Sequence, residues 1–591
     1  MPPTRDLPSG AILSRDGLPP VFGHHAALFL LFFTEMWERF SYYGMRALLV
    51  LFLVSEMSAG GWGWSREEAL KLYAWYTGLV YLTPILGGII ADKLTGHRVA
   101  VLLGALLMTL GHASMAMETK TAFYAGLVLL ILGNGFFKPN ISTIVGQLYA
   151  GNPDKKDAAY TIFYMGINSG AFLGILLCGY VGEKVGWSFG FGLAGVFMFL
   201  GMVMFYLGQS ILGQHGTRAR ALSNSDDASN GTSEARDPVV VRDRLIVIGV
   251  LSFFTIFFWM AFEQAGGSMT IFAKDYTGRI MSGSYAHMFF WTNTLLTIVP
   301  LAAVTYVLLQ LVRATYRYIP LSNLVIITSF AIVWCIALWM LAKEFRMRAY
   351  EVQFAAATAG ELMQATLQHD QPLEKGQSLF LIDMERKSGA GKLKIITPQQ
   401  AEQLDGEYAA TVLGEKQNET EIPASWFLIL NSFFIVTMAP VFSRMWESRY
   451  NPSAPVKFGL GLILLGLGFG VLALGSMSIT EGERSATVSI WWLVIAYALH
   501  TMGELCVSPV GLSYVSKLAP LKFIGLMFGV WFLATAVANY LAGKTGSYID
   551  TISENYGLAT FFLIYTAIPI VAGLVLCSMN GWMKRKMHGI E

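Results

Sequence analysis

Long apolar runs dominate the chain, and short polar stretches separate them. A bilayer core takes about 20 mostly apolar residues per helix. By that rule the pattern predicts fourteen membrane helices, near 26–55, 69–92, 98–117, 121–147, 159–183, 188–213, 244–273, 285–313, 319–342, 424–446, 456–477, 488–516, 523–546 and 557–583. Two polar segments break the series. Residues 214–242, rich in Asn, Ser, Gly and Asp, read as a flexible linker. Residues 343–423 read as a small soluble α+β insertion, with strand character from Ser378 to Ile382 and from Lys392 to Ile396, and helical character from Pro398 to Leu404.

Composition supports lipid as the main solvent. Of 591 residues, 54% are hydrophobic and 14% charged, whereas a soluble domain carries about a quarter charged residues. The net charge of +2 is uninformative, and nothing calls for nucleic acid as a partner. Cys178, Cys335, Cys506 and Cys577 lie in apolar stretches without CxxC spacing, so neither a disulfide framework nor a metal site is expected. The first 20 residues are polar and the apolar run after them is too long for a signal peptide, so that run is a span.

The distribution of charge sets an orientation. Lys93, Arg98, Lys155, Lys156, Arg313, Arg317, Arg444, Arg449, Lys457, Lys517, Lys522 and Lys584 to Lys586 all fall on one side of the helix series. Basic short loops mark the cytoplasm, which would hold both termini. The opposite loops carry Glu56, Glu118, Glu183 and Glu481, and helix parity puts the insertion with them on the outside, which is the periplasm if the membrane is a bacterial inner membrane.

The first span carries the densest chemistry. Glu35, Glu38, Arg39, Tyr42, Tyr43 and Arg46 recur at helical spacing and share one face. A central charged residue costs about 2.5–3.5 kcal/mol to insert, against about 0.3–0.6 kcal/mol gained per large aliphatic. That face must therefore look into a wet, protein-lined cavity. An ion-pair cluster that only locks helices together is the bland alternative, but two phenols and a further basic level extend the stripe beyond it. Acid, base and phenol in one ladder suit a zwitterion and a transferable proton, since burial favours the neutral acid and a nearby Arg favours the carboxylate.

The run Glu35-Met-Trp-Glu38-Arg39-Phe-Ser-Tyr42-Tyr43-Gly resembles the ExxERFxYYG motif of the proton-dependent oligopeptide transporter family, a branch of the major facilitator superfamily. Further blocks agree: Gly87-Gly-Ile-Ile-Ala-Asp92-Lys93, Phe137-Lys138-Pro139-Asn140, and Phe163-Tyr164-Met-Gly-Ile-Asn168. Others are Phe258-Trp259 with Glu263, Trp426 with Asn431, and Gly503-Glu504 with Ser508, followed by Trp531.

The resemblance implies an all-α transporter fold of two six-helix bundles. These would be 26–213 and, after the linker, 243–283 with 424–583, flanked by tails 1–25 and 584–591. An extra helix pair, 284–342, reads as a lateral hairpin, because the Trp426 block normally follows the seventh helix directly. A cover for the outer mouth of the cavity is one hypothesis for the insertion.

The implied function is proton-coupled import of di- and tripeptides, with the proton as coupling ion, no cofactor and no enzymatic step. Glu35, Glu38 and Arg39 would handle the proton, with Lys138 and Glu504 contributing. Arg46 and Lys138 would meet the peptide carboxylate and Glu504 its amine, with Asn431 assisting. Tyr42, Tyr43, Tyr81, Tyr164, Asn168, Trp259, Trp426, Ser508 and Trp531 would line the pocket, and Asp92 would act in gating. Glu263 is left between a substrate role and a gating ion pair with a basic residue of the first helix. Two alternatives stand: transport of another solute such as nitrate or an organic anion, and a peptide-binding membrane sensor that moves nothing.

Overall fold

The structure is a computed structural model that describes residues 19–217, 237–355, 362–383, 393–399, 409–417, 419–448, 451–519 and 523–590. Among these are fourteen helices of 19 to 32 residues. They are α1 Ala26–Val54, α2 Arg66–Ile90, α3 His97–Met115, α4 Lys120–Leu148, α5 Pro153–Lys184, α6 Trp187–Gly208 and α7 Pro238–Phe262. There follow α8 Ser284–Thr315, α9 Pro320–Arg346, α10 Ile429–Glu447, α11 Ala454–Ser476, α12 Trp491–Leu518, α13 Ile524–Gly546 and α14 Leu558–Ser578. Twelve are long and apolar enough to count as spans by composition alone. Of the other two, α1 carries the charged stripe and α12 carries His500 and Glu504.

Two bundles share one packing scheme. In the first, α3 packs on α4 and α6, α1 on α5 and α6, and α2 on α4. In the second, α11 packs on α12 and α14, α7 on α13 and α14, and α10 on α12. Replacing α1–α6 by α7 and α10–α14 in order maps each of these contacts onto its counterpart. The seam obeys the same exchange, since α2 meets α13 and α5 meets α10.

Small residues set the register of the first bundle. Gly166, Gly170 and Gly174 on α5 face Phe32, Met36 and Phe40 on α1, and a Cβ on Gly170 or Gly174 would run into an α1 carbonyl. With no hydrophobic drive between helices in lipid, such backbone approach is a main source of association. α1 is buried along nearly its whole length, so its polar face is fixed in rotation and depth.

After a short helix, Ser268–Asp275, that stays packed with the bundles, the chain makes one excursion before returning to α10. β1 (Ile280–Ser282) pairs antiparallel with β7 (Glu419–Glu421), Ile280 opposite Glu421, so the outgoing and returning chains leave through a two-stranded stem. Arg279 braces it, with Nη1 2.9 Å from Glu421 and 2.7 Å from Ile422 O. Within the excursion the α8–α9 hairpin lies against the first bundle: α9 packs on α6, Ser322 Oγ donates to Met204 O at 2.8 Å, and Phe330 packs edge-on against Trp37 and Phe33. The insertion is an antiparallel sheet in the order β3 (Leu362–His369), β2 (Arg348–Ala355), β6 (Ala409–Lys416), β4 (Ser378–Asp383), β5 (Leu393–Ile396). Its core is Tyr350, Val352, Leu367, Leu381, Ala410 and Val412.

Several boundaries differ from the sequence reading. α9 runs on to Arg346, so the insertion proper begins at Arg348. α7 starts at Pro238, where Asp237 caps it by accepting from Val239 N at 2.8 Å. Residues 209–217 are docked on the first bundle and not free linker: Arg98 donates to Gly213 O and His215 O, both at 2.7 Å, and Gly216 N donates to Gln147. Hydrophobicity alone could not see that tie, because its acceptors are carbonyls. Most of the expected helical stretch 398–404 and linker residues 218–236 lie outside the described residues.

Candidate substrate and proton site

The α1–α5 register holds the charged stripe at the centre of the first bundle. Arg39 Nε lies 2.9 Å from Glu35 Oε1 and 2.5 Å from Glu38 Oε2, so one guanidinium serves two carboxylates. Asn134 Nδ2 donates to Glu38 Oε1 at 3.1 Å. One turn along α4, Lys138 has its ammonium 4.3 Å from the centre of the Tyr81 ring, in reach of the fields of Glu35, Glu38, Arg39 and Glu263. Among the described residues it has no ion-pair partner. Glu35 Oε2, Arg39 Nη2 and the Tyr42 hydroxyl are buried and lack hydrogen-bond partners. Buried polar atoms are rarely left so. Two acids, two bases and an unused carboxylate oxygen make a cluster that can take up one proton and become net cationic.

Further along α1, Arg46 Nε donates to Tyr73 Oη at 2.9 Å and its Nη2 pairs with Glu263, the residue that ends α7. This joins the two bundles. A Cβ on Gly266 would meet both Tyr73 Oη and Arg46 Nη2, so glycine is required for the approach. In this conformation Glu263 therefore faces the first helix, and Arg46 is occupied.

The second bundle contributes a different pattern. Glu504 on α12 accepts from Asn431 Nδ2 of α10 at 2.9 Å, and the same amide lies 3.2 Å from Thr501 Oγ1. Tyr164 is 44% exposed, and Asn168, half-buried, donates to Tyr164 O at 3.0 Å. Trp259 packs edge-on between Phe258 and Phe262. Trp531 is buried over Gly511, and Ser508 is half-buried one turn from Glu504.

Asp92 stands apart from these groups. It lies where α2 widens to a five-residue turn over 91–95, with Oδ1 3.5 Å from His97 Nε2, and His97 Nδ1 is 2.8 Å from Asn140 Oδ1. These contacts join the end of α2 and the start of α3 to the side of α4. His500 is packed under Phe469, ring centroids 4.5 Å apart.

The seam is closed on the side of the insertion. Arg66 on α2 pairs with Asp275 at 2.7 Å and Asp550 at 2.8 Å, Thr77 meets Asn539 O at 3.4 Å, and Trp426 Nε1 donates to Leu176 O at 3.0 Å. On the basic side, among the described residues, α4 and α5 make no extended contact with α12 and α13. Tyr73 and Arg66 went unread in the sequence, and Asn134 had no role beyond its place in the Lys138 block. Tyr73 and Asn134 carried a signal, since they lie eight residues from Tyr81 and four from Lys138 on the same helical faces.

The sequence profile of the POT family matches residues 98–226 and 398–563. The chain is 30% identical over 572 residues to the uncharacterized transporter YclF of Bacillus subtilis, covering 96% of each chain. The chain belongs to the POT family. This POT-family chain is also 30% identical over 577 residues to the peptide transporter YePEPT of Yersinia enterocolitica, again over 96% of each. With the di-/tripeptide transporter of Lactococcus lactis subsp. cremoris the identity is 29% over 561 residues, covering 94% of this chain and 95% of the other. Among solved structures it superposes on the peptide transporter POT in complex with sulfate, with a TM-score of 0.65, 27% identity, and coverage of 96% of this chain and 98% of that one. It is thus a multi-pass membrane transporter of the major facilitator type, not an enzyme.

Proposed function

We propose that this chain is a proton-coupled symporter that imports di- and tripeptides across a bacterial inner membrane by alternating access, with its basic face and both termini in the cytoplasm. The observation that carries the reading is Arg39 shared between two buried carboxylates near Lys138, which has no ion-pair partner among the described residues, with Glu504 held by Asn431 in the other bundle. A peptide is a zwitterion, and the two bundles offer it opposite charges. The carboxylate goes to Lys138 and, once Glu263 lets go, to Arg46; the amine goes to Glu504 steadied by Asn431. Asn168 and Ser508 supply hydrogen bonds, and Tyr42, Tyr43, Tyr81, Tyr164, Trp259 and Trp531 form a wall that tolerates varied side chains.

Glu35 and Glu38 are the proton carriers in this reading. Protonation frees Arg39 from one acid, and deprotonation draws it back, so charge and helix contacts change together. Asp92 and Glu263 act in gating. On this orientation the fastened face of the seam is the outer one, and peptide would leave by the opposite, basic face. The names of the curated relatives, peptide and di-/tripeptide transporters, support the substrate class. One inward proton contributes about 2.3 kcal/mol per 100 mV.

Uptake of labelled di-alanine into liposomes holding the purified protein, with an imposed inward proton gradient and negative interior, tests the reading. Accumulation above equilibrium that collapses with an uncoupler is expected. Binding without uptake would overturn it.

A further inference from the structure

We infer that Glu183 is a second gating residue on the insertion face, a carboxylate of one bundle that caps the first turn of the other and must let go when the seam opens to that side. The inference rests on alternating access as proposed above. Glu183 lies in the last turn of α5. Its Oε2 accepts from Ala424 N at 2.9 Å, and its Oε1 accepts from Ser425 N at 2.9 Å and Ser425 Oγ at 2.5 Å. All three donors belong to the 424–428 turn that leads into α10. Backbone N–H groups at a helix start have no partner within the helix and favour a negative charge. The usual cap comes from the same chain segment. Here it comes from a different rigid body, so these bonds survive only while α5 and α10 touch.

Neighbouring contacts point the same way. Lys184, the next residue, pairs with Glu421 at 2.9 Å, and Trp426 Nε1 donates to Leu176 O. Gly179 admits the Ser425 side chain, which a Cβ there would strike. The place in the fold is telling. Arg66, with Asp275 and Asp550, fastens the α2–α13 edge of the seam. Glu183 fastens the α5–α10 edge, which the exchange of bundles relates to the first. A seam fastened at one edge alone would swing about it, whereas two fastened edges hold the insertion face shut.

The test is a distance measurement by pulsed electron paramagnetic resonance, with spin labels at Thr119→Cys and Glu481→Cys, both exposed on the insertion face, and Cys335→Ser to remove the exposed native thiol. Glu183→Ala is expected to raise the ratio of separated to closed distances about tenfold, the scale of lost charge-assisted hydrogen bonds. Glu183→Gln, which keeps an acceptor oxygen, should fall between. Ser425→Ala should move the ratio the same way by a smaller factor, and it keeps the test readable if Glu183→Ala fails to fold. Distances unchanged in Glu183→Ala and Ser425→Ala, while Arg66→Ala shifts them, would reduce Glu183 to a helix cap. The measurement needs no peptide, so failure of uptake would count against the transport reading and not against the latch.

Discussion

The two bundles are built alike and charged differently. Five principal helix contacts of one bundle recur in the other, and the two seam contacts obey the same exchange. In the first bundle the centre holds Glu35, Glu38, Arg39 and Lys138; the corresponding region of the second holds Glu504 with two neutral partners, Asn431 and Thr501. Packing scheme and chemistry are thus separable. Contacts between helices in lipid depend on small residues and fit, which both halves satisfy. Charges are expensive there and persist where they are used. An asymmetric pair of charged centres in a near-symmetric frame suits a cargo with two unlike ends and a proton handled on one side.

The strongest way to break the comparison is to neutralise an acid of the first bundle. Glu35→Gln or Glu38→Gln should abolish gradient-driven accumulation, which one proton at 100 mV sets at roughly fifty-fold, and spare exchange of peptide across the membrane. Counterflow and gradient-driven uptake in the same liposomes separate the two. Accumulation that survives both substitutions would move the proton site elsewhere. Next in size is Glu504→Gln. Loss of a hydrogen-bonded charge predicts a rise in KM of about tenfold or more for peptides with a free amine, and little change for N-acetylated ones. An equal effect on both would undo the assignment of the second bundle to the amine.

A smaller effect is expected at Tyr73→Phe, which removes the hydroxyl that receives Arg46 Nε. One hydrogen bond is worth about 1 kcal/mol, so uptake should change several-fold, with Glu263→Gln largely masking the change if the two act on Arg46 together. The smallest belongs to the insertion. Excising 348–417, which spares β7, should alter uptake and peptide affinity by less than about twofold, the range of changes remote from a working site. A larger loss would bring the sheet into the transport path and revive the idea of a cover.

Much of this was legible from residue order, for physical reasons that also mark its limits. The stripe on α1 declared itself because charge in an apolar run is costly and its spacing is helical. The strands at 378–382 and 392–396 showed up as β4 and β5 within a residue or so. Three kinds of feature stayed hidden. Tyr73 and Arg66 act on partners more than two hundred residues away or across a helix pair, which local pattern does not encode. The dock of residues 209–217 uses carbonyl oxygens, which every residue has. The stem strands β1 and β7 are three residues each, too short for an alternating pattern to show.

That stem has a practical side. Because Ile280 sits opposite Glu421 and the strands are braced by Arg279, the main chain departs and returns at neighbouring points. Beyond the stem, among the described residues, only the α8–α9 hairpin rests on the first bundle, so the sheet that follows α9 is the part the transporter proper need not register. The position is therefore a natural graft point: a reporter or a rigid fiducial whose own ends lie close together can be spliced in place of that sheet and travel as a passenger on a working carrier.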